Sequence, residues 1–270
     1  STDQTPATND SGDASEIPLK VLKSSKKHSH AVSCCAFSPT GWLLVAGDVK
    51  GTATVWILKG EMGWGALVKL EGHEDEICRC RFNESNQPGQ EWVLATASKD
   101  KTVRFWAAAP GIEGSWTCAA VVKTGHDQAV TDLAFLPPSS PGGPARMVTS
   151  SVDGTCRVFR QEGGLSFAEE AQLDAGVAGV ACQSLSPLVL DGAAAAVWAS
   201  YSDGTLRLWE SGQGGWKVTT TAEVPSDKPG KAKTLLAKCP TDEGLLVAAR
   251  ASEVQLWERW EPDAATAATA

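Results

Sequence analysis

Short apolar runs alternate with tight polar turns along this chain, and no stretch settles into the 3.6-residue spacing of a helix. Leu94-Ala95-Thr96-Ala97-Ser98 is a small apolar run, Lys99-Asp100-Lys101 is a turn, and Thr102-Val103-Arg104-Phe105-Trp106 is β-branched and aromatic. That order predicts two strands around a tight turn. The pattern returns at Ser151-Val152-Asp153-Gly154-Thr155-Cys156-Arg157-Val158-Phe159 and at Ser202-Asp203-Gly204-Thr205-Leu206-Arg207-Leu208-Trp209. Looser copies end at Val55-Trp56 and Leu256-Trp257. The closing aromatics stand at positions 56, 106, 159, 209 and 257, in steps of 50, 53, 50 and 48. A strand-and-turn repeat of about 50 residues predicts radial β repetition.

Gly72-His73 and Gly125-His126 open two units, Ser-x-Asp-[Lys/Gly]-Thr turns recur, and an aromatic closes every copy. In these features residues 28 to 260 resemble the WD-repeat (WD40) β-propellers. The resemblance implies an all-β fold, a WD40 β-propeller of about five four-stranded blades. The units fall near 30–70, 73–122, 126–173, 177–224 and 232–260, within a propeller spanning 17–260. The first strand of each unit is expected to end near Phe37, Phe82, Phe135, Cys182 and Cys239, with Val32, Ile77, Val130, Val177 and Thr234 five positions earlier. A second aromatic column, Trp64, Trp116, Phe167 and Trp216, opens the outer strands and is expected to pack over the blade edge.

Ile17 to Lys27 alternates apolar and basic residues as an outer strand does, and the last unit supplies three strands. The expectation is an N-terminal strand completing the C-terminal blade and closing a five-blade ring. Seven blades are commonest in the family, so a fragment of a six- or seven-blade ring is the alternative. A start at Ser1 instead of Met reads as a fragment or a processed product. Residues 1–16 read as a disordered tail, 261–270 as a frayed one, and Pro137 to Pro144 as a loop in blade three.

The family carries a buried network of a His before the first strand, a Ser or Thr in the second, an Asp in the turn and the Trp closing the third. The resemblance places it in unit two on His73, Thr96 or Ser98, Asp100 and Trp106. Unit three has His126, Ser150 or Ser151 and Asp153, with Phe159 lacking the indole donor. Unit one has His30 and Trp56 with Lys50 where Asp is expected, unit four has Asp203 and Trp209, and unit five keeps Trp257. Ser, His and Asp together suggest a hydrolase, but they recur from unit to unit as polar clamps do. No Gly-x-Ser-x-Gly elbow, His-Glu-x-x-His, phosphate loop or dinucleotide fingerprint stands in the sequence. No catalytic residue, metal site or cofactor is expected.

A net charge of −8 argues against nonspecific nucleic-acid binding, and no apolar run reaches membrane-span length. Eight cysteines lack zinc-ribbon spacing. Cys35 and Cys80 stand where the other units place Leu133, Val180 and Ala237, as small buried hydrophobes do. Such thiols fit a reducing compartment, the cytoplasm or the nucleus.

Partner recognition is sought where residues break the repeat. Trp42 and Trp92 occupy the place held elsewhere by Ala145, Ala195 and Glu243, and suggest an aromatic patch. Glu74, Asp75 and Glu76 beside His73 form an acidic loop suited to a basic segment. The expected function is a non-catalytic protein–protein interaction scaffold within a hetero-oligomeric complex. Gly-rich turns followed by Trp, as in Gly114-Ser115-Trp116 and Gly214-Gly215-Trp216, are similar to vesicle-coat and nuclear-pore scaffold propellers and to the propeller of cytosolic iron–sulfur protein assembly. A propeller hydrolase is the rival class.

Overall fold

A computed structural model describes residues 28–58, 64–83, 92–109, 115–136, 138, 143–189, 195–224, 233–238, 245–250 and 253–258. The tails at 1–16 and 261–270 and the N-terminal strand at 17–27 lie outside these residues, as does most of 137–144. The described residues form five antiparallel sheets and no helix.

Blade one holds β1 (Val32–Phe37), β2 (Leu43–Asp48), β3 (Ala53–Leu58) and β4 (Trp64–Leu70). Blade two holds β5 (Ile77–Phe82), β6 (Trp92–Ser98), β7 (Thr102–Ala108) and β8 (Thr117–Lys123). Blade three holds β9 (Val130–Leu136), β10 (Arg146–Ser151), β11 (Thr155–Gly163) and β12 (Ser166–Asp174). Blade four holds β13 (Cys182–Val189), β14 (Ala195–Tyr201), β15 (Thr205–Gly212) and β16 (Gly215–Glu223). Blade five shows β17 (Thr234–Lys238), β18 (Leu245–Arg250) and β19 (Glu253–Glu258). Strands follow chain order in every sheet.

The closing aromatics share one register. Trp56, Trp106, Phe159, Trp209 and Trp257 lie opposite Leu44, Leu94, Met147, Val197 and Leu246. A bulge against the outer strand immediately precedes the aromatic in each of blades one to four. The extra residue turns the strand and re-aims its side chains.

A second bulge sits in the inner strand, at Ser33, Cys78, Thr131 and Gln183. Three of these residues use it to reach the next blade. Ser33 Oγ donates to Ile77 O (2.5 Å), Thr131 Oγ1 donates to Cys182 O (2.7 Å), and Gln183 Oε1 accepts from Thr234 N (2.7 Å). At the junction of blades two and three Arg79 and Asp132 take over. Asp132 accepts from Arg79 Nε (2.5 Å) and Nη2 (2.7 Å), and from Ser184 Oγ (3.1 Å) and Leu185 N (3.0 Å) in blade four.

The core lies between sheets. Leu43, Val45 and Val55 of blade one pack with Ile77, Cys80 and Phe82 of blade two. Val103 and Phe105 pack with Val130 and Leu133, and Leu206 packs with Ala248. The second aromatic column clasps the preceding blade. Trp116 enters the junction with blade one, Phe167 stacks on Phe105 of blade two (4.8 Å), and Trp216 lies over the Arg146 guanidinium of blade three (5.3 Å).

The inner-strand register of the last two units corrects the spacing read from sequence. Cys182 opens β13, and the residue opposite Val197 is Pro187; in blade five Lys238 lies opposite Leu246. The column of Cys35, Cys80 and Leu133 therefore continues as Leu185 and Leu236, where Val180 and Ala237 were expected. Val177 and Val180 stand at the offsets from Cys182 that the other columns keep, but Gly176 and Gly179 with φ of 69° and 77° make that segment a loop.

Inner strands pack in succession, β1 on β5, β5 on β9, β9 on β13 and β13 on β17. Among the described residues β17 and β1 lack comparable packing. The strand expected to close the ring, 17–27, lies outside the described residues.

Candidate interaction surface and the polar clamps

Blade two assembles a complete clamp. Trp106 Nε1 donates to Thr96 Oγ1 (2.9 Å), Thr96 Oγ1 meets His73 Nε2 (2.8 Å), and His73 Nδ1 meets Asp100 Oδ2 (2.7 Å). With the His proton on Nδ1 every donor finds an acceptor. Burial pushes the Asp100 carboxyl up, but hydrogen bonds from His73, Thr102 and the Glu74 amide outweigh it and hold it well below the carboxylate range. Ser98 is not the clamp hydroxyl. It donates to Asp75 O (3.0 Å) and accepts from the Asp100 amide (3.1 Å), so it shapes the turn.

Blade three repeats this with His126, Thr149 (2.9 Å) and Asp153 (3.0 Å). Thr149 fills the role expected of Ser150 or Ser151, because it shares the register of Thr96. Burial leads in pushing His126 below the usual imidazole value.

The other blades meet the same need with different side chains. In blade one His28, not His30, is the clamp His, and Asp48 takes it (3.0 Å). Asp48 stands two residues before Lys50, at the turn-start position that pairs with Val32. The equivalent positions are Ser98, Ser151, Tyr201 and Arg250. Tyr201, fully buried, accepts from Trp209 Nε1 (3.3 Å) and carries the Arg207 guanidinium on its ring (4.8 Å). Among the described residues Asp203 binds only its own turn, through the Thr205 amide and hydroxyl (2.8 Å each). Arg250 reaches back to Val224 O (3.1 Å) and Ser202 O (3.4 Å) of blade four. Sequence reasoning missed His28, Asp48, Tyr201 and Arg250. A polar or aromatic residue at one fixed place before each turn was the available signal.

Of the expected contact residues, Trp42 is 57% exposed, and the Trp92 side chain lies outside the described residues. Nothing described brings the two rings together. Glu74 and Asp75 are exposed, while the Glu76 carboxylate holds Lys99 Nζ (2.6 Å). The acidic loop is thus partly neutralised by its own blade.

Two further features come from the fold. A cavity of about 600 Å³ lies where the inner strands converge, lined from all five blades by residues including Phe37, Arg81, Phe135, Pro187 and Leu236. The second is the outer face of blade one. Ile77, Val130, Cys182 and Thr234 are fully buried by the blade before them, yet Val32 at the same place is 53% exposed. Phe82 is 4% exposed, but its equivalent Phe37 is 62% exposed, and Cys35 is exposed where Cys80 is buried. In blade five Leu235 is 47% exposed. Among the described residues no group of three or more His, Cys, Asp or Glu is placed to hold a metal ion.

The WD40 family, described as WD domain, G-beta repeat, matches residues 19–56, 64–107 and 116–160. Protein CIA1 of Arabidopsis thaliana is 34% identical over 99 residues, 36% of this chain and 26% of that protein. The probable cytosolic iron-sulfur protein assembly protein 1 of Chaetomium globosum is 29% identical over 125 residues, 40% of this chain and 27% of that protein. The chain thus matches about a quarter of the length of these relatives. The crystal structure of Saccharomyces cerevisiae Sqt1 superposes with a TM-score of 0.66 at 17% identity, over 84% of this chain and 60% of that one. With five sheets of one register, His–Asp clamps and an aromatic closing each third strand, the chain belongs to the WD-repeat β-propellers.

Proposed function

We propose that this chain is a non-catalytic interaction scaffold, a subunit of a multiprotein complex in the cytoplasm, whose partner covers the outer face of blade one. The observation that carries the reading is the contrast between Val32, Cys35 and Phe37 and their buried equivalents in blade two, Ile77, Cys80 and Phe82. Each junction inside the chain indicates what such a face accepts, an apolar sheet face like that of Leu43, Val45 and Val55. Trp42 extends the surface with a large aromatic of the kind that anchors interfaces.

The test is affinity purification of the tagged chain from its source cell, comparing wild type, Phe37→Asp and Val121→Asp. Val121 is 47% exposed on the outer strand β8 and serves as the surface control. Partner recovery is expected to fall at least about tenfold for Phe37→Asp alone. Equal recovery from all three proteins refutes the reading. Further repeats encoded beside this sequence would cover the face in cis and would also end it.

A more specific reading is an adaptor in cytosolic iron–sulfur protein assembly, favoured by the similarity to the Chaetomium protein of that description. Co-purification of iron–sulfur assembly proteins supports it, and a partner set without them refutes it.

A further inference from the structure

Two pairs of thiols face each other across blade junctions. Cys34 Sγ on β1 lies 3.4 Å from Cys80 Sγ on β5, and Cys156 Sγ on β11 lies 3.3 Å from Cys182 Sγ on β13. A disulfide needs about 2.05 Å, so either pair is a little over an ångström from bonding distance.

Their surroundings differ. Cys156 and Cys182 are fully buried, which leaves an oxidant no path to them, and burial pushes the Cys182 thiol up. Cys34 is half-buried, in the inner strand of the blade whose far face is open. A glycine makes room for it. A Cβ on Gly47 would come within 3.0 Å of Cys34 Sγ and 2.8 Å of Ile77 Cγ2. The hydrogen bond from Cys80, helped by the Arg79 charge, holds the Cys34 thiol below its ordinary value despite burial. That same bond and burial push Cys80 up, so Cys34 is the nucleophile and Cys80 the proton-bearing partner.

We propose that Cys34 and Cys80 form a redox-responsive dithiol that closes to a disulfide across the junction of blades one and two, while Cys156 and Cys182 stay reduced. With a peroxide as oxidant, the Cys34 thiolate attacks one peroxide oxygen and the O–O bond breaks, giving a sulfenic acid and hydroxide. Cys80 sulfur then attacks the Cys34 sulfur, the S–O bond breaks and water leaves. Two thiols and one hydrogen peroxide give one disulfide and two waters. Among the strands described, blade one makes its main packing on the other blades through this junction, so the bond would staple the first blade in place.

The inference stands apart from partner docking, because its readout is chemical. The purified chain is treated with hydrogen peroxide, free thiols are alkylated, and non-reduced tryptic peptides are read by mass spectrometry. Trypsin cuts after Arg79 and Arg81, which leaves Cys80 in a dipeptide apart from Cys78. The expected result is Cys80-Arg81 linked to the peptide carrying Cys34, at a yield at least about tenfold above any Cys156–Cys182 bond. The link should survive Cys35→Ser and Cys78→Ser and vanish in Cys34→Ser and Cys80→Ala. Oxidation should also raise the melting temperature of wild type and leave that of Cys34→Ser unchanged. A Cys34–Cys35 bond, a bond to Cys78, equal oxidation of both pairs, or thiols that all remain free would overturn the proposal.

Discussion

Asp132 offers the sharpest test of how the blades are held together. Its carboxylate is fully buried and accepts five hydrogen bonds, two from Arg79, one from Ser184 Oγ, one from Leu185 N and one from Leu133 N (2.7 Å). These donors come from blades two, three and four. Asp132→Ala removes the acceptor and leaves a guanidinium and two amides without their partner. Removing one member of a buried ion pair costs about 3–5 kcal/mol. The Arg79 side chain is 22% exposed and can recruit water, which places the expected cost near the lower end, about 3 kcal/mol. With a urea slope of about 2–3 kcal/mol per M, the unfolding midpoint should fall by roughly 1 M.

Urea unfolding followed by tryptophan fluorescence and circular dichroism is the assay. Because Asp132 ties three blades, its loss should also separate the two transitions, which report local and global structure. Adding Arg79→Met to Asp132→Ala removes the orphaned charge and should restore about 1–2 kcal/mol. A midpoint shift below about 0.3 M, or costs that simply add in the double variant, would show that the pair is not the tie it is drawn as.

In blade two, Asp100→Ala leaves the His73 ring and the Glu74 amide unpaired and should cost on the order of 1–3 kcal/mol; an unchanged thermal midpoint rejects the clamp. Stability should also fall monotonically with acid. His126 is held below its unfolded value, so its contribution is complete above about pH 6.5 and is lost as pH falls toward the folded value. Asp48, Asp100 and Asp153 are likewise depressed, so their contributions are lost below about pH 4. A urea midpoint that rises between about pH 7 and pH 5 contradicts the His126 assignment, and one that does not fall below about pH 4 contradicts the carboxylates.

The repeat, the closing aromatics and the blade-two clamp were legible because each rests on residue type at fixed spacing. The register of β13 was not. Counting back from Cys182 lands on Val177 and Val180 at the offsets of the other units, so the loop passes for strand until its glycines are seen at positive φ. The bulges at Ser33, Thr131 and Gln183 were hidden for the same reason, since an extra residue leaves no mark in composition. The blade-one clamp escaped because Asp48 replaces a carboxylate expected two positions later, and reach matters there more than position. Asp132 gave no signal, as a single Asp in an apolar run does not announce partners about 50 residues away on either side.

The open face of blade one poses a harder problem, because Val32 and Phe37 are the residue types that fill a core and only their surroundings set them apart. Their magnitudes limit what can bind there. Full burial of such a side chain is worth about 1.5–3 kcal/mol, and these two are already about half covered. Completing them, with Trp42 added, contributes on the order of 3–4 kcal/mol. Association costs at least about 4 kcal/mol in lost freedom before any side chain is ordered. A short peptide touching only these residues would therefore dissociate readily. A lasting partner must cover the sheet beside them as the internal junctions do, which favours a folded β-sheet over an extended segment.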